Sequence, residues 1–460
     1  MSSRFSKDPV VDRSLRHSIR DGVAFSAQVG AGETYFSAFA LFLRATAPQV
    51  ALLSTLPPLL GSLAQIFSAW LGRFVGRKRL VLTGATLQAV LWLPILLVPV
   101  LFDDQVVTAL LVLLVLYHSA NNFSAPQWTS IMRDLVSERR RGRYFGYRTR
   151  LTTITTFAAL VVGGLILHLF DTSGRTYIGF VVVFLVALIA RTVSVYHLRY
   201  LHEPAEATPP PDLHVSHWWR SLVETGAVRF STYFALMNAA VGISAPFFAV
   251  YMLRELELTY LEFMVLAGTS VFTQFLTLAT WGRIADIYGN RLILLVTSMS
   301  LPVVPLLWLV TDNFWYLMFC QAVSGFSWSG FTLASGNLLY ELVPRSRRAA
   351  YVAFHNVGTA GGVFGGAMLG AALVLVLPVR EVFFSDSGIE SNLLYLFALS
   401  GILRAVIAAL LARRVRDIRK PRRDISPQSL VMRITGFSAM LDLLYDFIGR
   451  PPPDDDDDLT

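Results

Sequence analysis

The chain has 460 residues, 54% hydrophobic and only 15% charged, with mean hydropathy +0.54 and a formal net charge of +8. A water-soluble domain carries roughly 25% charged residues, so this composition excludes a chain solvated mainly by water and implies that most of it sits in lipid. The single cysteine, Cys320, excludes an intrachain disulfide framework and a Cys/His metal cluster, and no Gly-x4-Gly-Lys-Ser/Thr phosphate loop is present.

Twelve apolar runs follow in order, each near the ~20 residues that a helix needs to cross the hydrocarbon. They cover 22–43, 50–71, 80–102, 106–132, 147–170 and 177–198, then 230–253, 260–281, 292–310, 314–340, 350–377 and 392–412. Their length, and the lack of ten-residue alternation, predict helices rather than barrel strands. Prolines at Pro57, Pro58, Pro94 and Pro99 predict kinks in runs two and three. Run eleven is rich in glycine from Gly358 to Gly370, a composition that lets helices pack closely or slide.

Lysine and arginine orient the chain. Of 39, 33 fall on the two tails and on every second connection; only Arg44, Arg175, Arg254 and Arg380 lie on the alternate connections. Basic residues stay on the cytoplasmic side during insertion, so both termini are expected there, in the cell membrane. The basic charge is orientation signal and lipid contact, with no call for nucleic acid. The expected organisation is an N-tail 1–20, a six-helix bundle 21–200, a linker 201–229, a second six-helix bundle 230–412 and a C-tail 413–460. The linker carries Thr-Pro-Pro-Pro-Asp (208–212), which cannot be helix interior. The C-tail shows apolar residues at helical spacing over 426–449, then five aspartates; the segment is read as a surface amphipathic helix, with a docking helix as its rival.

The halves repeat one another. Asp134-Leu135-Val136, followed by Arg141 and Tyr144, returns as Glu341-Leu342-Val343, followed by Arg348 and Tyr351, at an offset of 207 residues. Arg191 returns as Arg404 at an offset of 213, and Gln65 with Gly72-Arg73 returns as Gln274 with Gly282-Arg283. Six being even, the two copies run in the same sense across the membrane.

Gly282-x3-Asp286-x2-Gly289-x-Arg291, between runs eight and nine, resembles the signature loop of the major facilitator superfamily. The parallel halves, the long middle connection and the acid followed by arginine after runs four and ten are similar to that superfamily too. The resemblance implies an all-α integral membrane fold of twelve transmembrane helices in two pseudo-symmetric halves, operating by alternating access. The first-half copy of the loop departs from the pattern, since Arg73 stands at the acid position. Run five has Gly163-Gly164 but Leu160 where the antiporter motif has proline.

Glu33 is the acid placed nearest the middle of a run. A charge at that depth costs about 2.5–3.5 kcal/mol on insertion scales, so Glu33 is the candidate proton-coupling residue, with His118 as a possible proton partner; a neutral Glu hydrogen-bonded to a neighbouring helix is the structural alternative. Gln28, Gln65, Asn121, Asn122, Asn238, Gln274, Gln321 and Trp328 lie on runs that the resemblance turns toward a substrate cavity. A cytoplasmic gate is expected from Arg73, Asp134, Arg141, Gly282, Asp286, Gly289, Arg291, Glu341 and Arg348, with Arg191 and Arg404 as structural partners of Asp134 and Glu341. The functional expectation is a monomeric secondary transporter of a small organic solute coupled to a proton or another ion, with no cofactor, no metal and no enzymatic activity. Uncoupled facilitated transport, and a non-transporting sensor or assembly role, stay open as alternatives.

Overall fold

The computed structural model describes residues 5–72, 74–102, 104–203, 227–342, 348–378 and 391–412. The proline-rich linker segment, the C-tail with its apolar spacing, and Arg73 lie outside the described residues.

The first half comprises α1 (Pro9–Ala31), a 3-10 turn (Glu33–Tyr35), α2 (Phe36–Phe42), α3 (Ala47–Leu71), α4 (Arg77–Leu101), α5 (Val106–Leu135), α6 (Glu138–Thr172) and α7 (Thr176–Leu198). The second comprises α8 (Ala227–Gly242), α9 (Ala245–Val250), a π-helical turn (Tyr251–Glu255), α10 (Tyr260–Tyr288), α11 (Asn290–Ser300), α12 (Val303–Leu307), α13 (Phe314–Glu341), α14 (Arg348–Val374) and α15 (Leu393–Leu411). Joined where they are interrupted, these helices make twelve rods. Ten of the helical segments are long and apolar enough to cross a membrane; the rods of α1–α2 and of α13 are not among them. Side chains such as Leu169 and Leu410 stand 64% and 60% exposed on the outside of the bundle, where hydrocarbon rather than water is the fitting solvent.

The first rod differs from expectation at both ends. Residues 9–20 are helix, not tail. Asp8 caps the helix by accepting from the Val10 N–H, and Pro9 takes the first helical position, where its missing N–H costs nothing. Asp12 then ties the incoming chain down, accepting from the Phe5 N–H at 2.6 Å and from Arg16 Nε at 2.9 Å. The expected continuous run 22–43 is interrupted at Gly32. A Cβ there would come within 2.3 Å of the Trp92 ring and 2.8 Å of Ala187, so glycine is what lets α4 and α7 close on the break. The first rod of the second half is interrupted at Ile243-Ser244, 211 residues after Gly32-Glu33 and within the offset range of the repeat.

Packing separates the two faces. One face carries the basic connections, at the starts of α4 and α6 and the end of α10. Towards the other face, a single core joins the halves, with Phe39, Phe180 and Phe184 from the first and Phe247, Tyr251 and Met264 from the second. Towards the basic face the core divides. The first half has its own cluster around Leu15, Ile131 and Tyr144, and the second has one around Tyr233, Trp281 and Phe331. The seams between halves are α3 against α14 and α6 against α10. At the second seam a Cβ on Gly164 would stand 2.4 Å from the Met264 side chain, so glycine lets α6 and α10 close on one another there. On the face opposite the basic one, Arg254 donates to the Ala45 carbonyl at 2.6 Å, bridging the halves.

Candidate functional site

The 3-10 turn after α1 presents Glu33 sideways. Its Oε1 accepts from Tyr117 Oη at 2.7 Å and from Gln28 Nε2 at 2.9 Å, while Gln28 Nε2 also reaches Tyr117 Oη at 2.6 Å. Tyr117 lies eleven residues into α5, about 16 Å along the helix, which is close to mid-depth in a hydrocarbon layer of ~30 Å. The break therefore delivers a carboxylate to the middle of the bundle with two donors already aimed at it. His118 lies within electrostatic reach of Glu33, but its ring packs on Phe36 and no hydrogen bond joins the two side chains.

Behind this cluster, inside the first half, sits Arg191. It is 3% exposed, donates to Ser194 Oγ at 2.9 Å and stacks on Phe25 at 4.8 Å. Ser194 Oγ in turn donates to Asp21 Oδ1 at 2.7 Å, and Asp21 lies 3.7 Å from Arg148. The expected partnership of Arg191 with Asp134 is thus corrected: Arg191 points along the α1–α7 seam, towards Asp21, Tyr117 and Glu33. Its repeat, Arg404, donates to Ser244 Oγ at 2.8 Å and to the Leu301 carbonyl at 3.2 Å, not to Glu341. Each buried guanidinium takes near acceptors: for Arg191 a hydroxyl of its own helix that in turn reaches Asp21 of the first rod, and for Arg404 Ser244 of the first rod of the second half and the end of α11.

A cavity of about 310 Å³ opens between α3, α5 and α14. It brings together two of the expected substrate residues, Gln65 and Asn122, with Asn356 and Thr359 of α14, which sequence reasoning missed. Gln28 belongs instead to the Glu33 cluster. Asn238 donates to the Phe234 carbonyl on its own helix, and Trp328 packs edge-on against Phe331. The structure places Asn121, Gln274 and Gln321 half-buried and outside the cavity lining.

On the basic face, ion pairs and hydrogen bonds tie helix ends together in each half. Arg77 meets Asp134 at 2.7 Å, and it also lies 3.3 Å from Glu203 and donates to Ser130. In the second half the homologous place is held by Asn290, which donates to Glu341 at 2.9 Å and accepts from Asn337. Arg141 donates to the Arg133 and Val136 carbonyls, closing the end of α5. Gly289 makes the turn with φ of 86° that glycine tolerates. Gly282 does not turn the chain: it lies inside α10, with open space where a Cβ would stand. Asp286 is exposed in the last turn of α10, Arg291 opens α11, and Arg348 begins α14 with its side chain outside the described set.

The Major Facilitator Superfamily model matches this chain twice, over residues 23–243 and 230–431. The chain belongs to the Major Facilitator Superfamily. A stretch of 152 residues, 32% of the chain, is 30% identical to the multidrug resistance protein MdtG of Dickeya zeae (strain Ech586), covering 37% of that protein. MdtG of Escherichia coli O81 (strain ED1a) is 26% identical over 191 residues, 40% of this chain and 44% of the relative. These matches span less than half the length of either relative. A variant of the nucleoside transporter NupG superposes with a TM-score of 0.66 at 12% identity, covering 88% of this chain and all of that one. A bacterial homologue of the iron transporter ferroportin, in an inward-facing state, gives 0.62 at 14% identity, over 88% of this chain and 99% of the other. At such identities the likeness carries the fold alone.

Within this superfamily fold, three further groups escaped sequence reading. Asp21 falls at the edge of an apolar run, where an acid looks solvated. Glu203 sits at the start of a connection. Gln88 lies in run three with both amide atoms buried and without a hydrogen-bond partner among the described residues. A buried amide in an otherwise apolar helix was the available signal for Gln88.

Proposed function

We propose that the chain is a secondary active transporter of a small organic solute. It works by alternating access as a monomer in the cell membrane, with both termini cytoplasmic and a proton taken up and released at Glu33. The two halves, 21–200 and 230–412, move as units about the α3–α14 and α6–α10 seams. The observation that carries this reading is the Tyr117–Glu33–Gln28 cluster at the interruption of α1. Two neutral donors converge on one oxygen of an acid near mid-depth, and intramembrane acids mark proton pathways. The divided core supports an arrangement closed on the face opposite the basic loops and parted on the basic face. The name of the curated relatives, multidrug resistance protein, favours an organic solute.

In proteoliposomes, Glu33→Gln is expected to abolish proton-driven uphill transport while solute exchange across the membrane continues. Unchanged uphill transport in Glu33→Gln removes the coupling role. Loss of exchange as well assigns Glu33 to solute binding or folding instead.

A further inference from the structure

The cavity between α3 and α14 has a composition that narrows what it can hold, an inference that rests on the transport reading above. Its walls come from both halves, and every lining side chain is neutral. The polar groups are hydroxyls and amides, and several have capacity left. Asn356 Nδ2 donates to Gln65 Oε1 across the seam at 3.3 Å, a long bond. That bond leaves Gln65 Nε2 as a donor and Asn356 Oδ1 as an acceptor. Asn122 Nδ2 is occupied by the His118 carbonyl at 3.0 Å, which leaves its Oδ1. Thr359 Oγ1 is buried and has no hydrogen-bond partner among the described residues. Pro58 lacks an N–H, so the Ser54 carbonyl loses its helical donor beside the same space.

Three solute classes meet these walls differently. A cation or anion would leave water and find no opposite charge among the lining groups, and an unpaired charge is costly to bury. An apolar solute would leave Thr359 Oγ1, Gln65 Nε2 and Asn356 Oδ1 facing it without a partner. A solute with its own hydroxyls or amides satisfies them, and discrimination of that kind is strong because binding a solute without such groups leaves the site groups unpaired. The volume, about 310 Å³, is that of roughly ten waters at ~30 Å³ each, the lower end of ligand-pocket sizes.

We infer that this cavity is the solute site and that it takes an uncharged, hydroxyl- or amide-bearing molecule of about nucleoside or monosaccharide size, bridging Gln65 and Asn356 and thereby the two halves. Solute contact on both walls replaces the long Gln65–Asn356 bond, so occupancy bears directly on how the halves sit.

The test is binding to the purified full-length protein in detergent, by calorimetry and thermal shift, with uridine and glucose as uncharged probes, tetraphenylphosphonium as the cation and benzoate as the anion. At least one uncharged probe is expected to bind. Thr359→Val and Asn356→Leu should each weaken it about tenfold or more, while Thr359→Ser retains it and reports that the fold survives. Glu33→Gln should keep this binding, so failure of proton coupling and failure of the solute class are separable. Preferential binding of tetraphenylphosphonium or benzoate overturns the inference. So does uncharged-probe binding that is indifferent to Thr359→Val and Asn356→Leu, or no response to either uncharged probe.

Discussion

Tyr117 Oη donates to Glu33 Oε1 at 2.7 Å, joining the break in the first rod to the fourth. Gln28 supplies the second donor to the same oxygen. Tyr117→Phe therefore removes one of two hydrogen bonds and leaves the other. A hydrogen bond to a charged group contributes about 1.5–3 kcal/mol, so the proton-driven rate in proteoliposomes is expected to fall roughly tenfold while exchange persists.

Glycines on α14 divide into two sets. A Cβ on Gly366 would stand 1.9 Å from the Ala239 carbonyl and one on Gly362 2.4 Å from the Ala235 carbonyl, whereas nothing lies within 4 Å at Gly361 or Gly365. Gly366→Ala must push α8 and α14 apart, an overpacking of about 1–3 kcal/mol. Gly365→Ala is expected to be neutral or slightly stabilising. Melting temperatures of the two variants check the contrast.

The Arg77–Asp134 pair of the first half corresponds to Asn290–Glu341 in the second. Arg77→Ala takes the guanidinium from partly buried Asp134 and from Glu203, which keeps the backbone N–H groups of residue 77 and Lys78, at a stability cost on the order of 2 kcal/mol. Arg77→Asn copies the second-half arrangement and should recover part of the loss. Thermal unfolding of the three proteins measures it.

Asp12 lies ahead of the apolar run, outside the spanning segment. Burial pushes its pKa up, but the Phe5 and Ser6 N–H groups and Arg16 outweigh burial and hold it below the ordinary carboxylate value of 3.8. A carboxyl depressed in the folded state stabilises at pH above its unfolded value, and that stability is lost as pH falls through the folded one. Wild-type protein is therefore expected to lose stability below about pH 4 by more than Asp12→Asn does. Melting temperature against pH for the two proteins shows whether this difference exists.

What was legible in the sequence followed from periodicity and repetition. Apolar runs located the helical rods, and the doubled acid–Leu–Val–x4–Arg pattern paired the halves. Glu33 stood out because an acid at that depth needs a reason. Partner choice was not legible. Nothing marks Arg77 in a string of basic residues; its backbone N–H meets Glu203 at the start of α4 and its guanidinium reaches Ser130. Arg191 and Asp21 come together across the α1–α7 seam from 170 residues apart, through Ser194, whose hydroxyl is unremarked in an apolar helix. Nor could composition reveal that residues 9–20 are helical, since their charged side chains read as tail.

Under the proposed mechanism the two halves move reciprocally about a shared seam. Spin labels at Tyr147 and Ala279, both exposed on the basic-face side of α6 and α10, and at Ser173 and Glu257, exposed at the opposite face, report the two ends. With bound solute, pulsed-EPR distances are expected to shorten for the Tyr147–Ala279 pair and lengthen for the Ser173–Glu257 pair. Distances that stay fixed, or that change together in one direction at both faces, contradict the account.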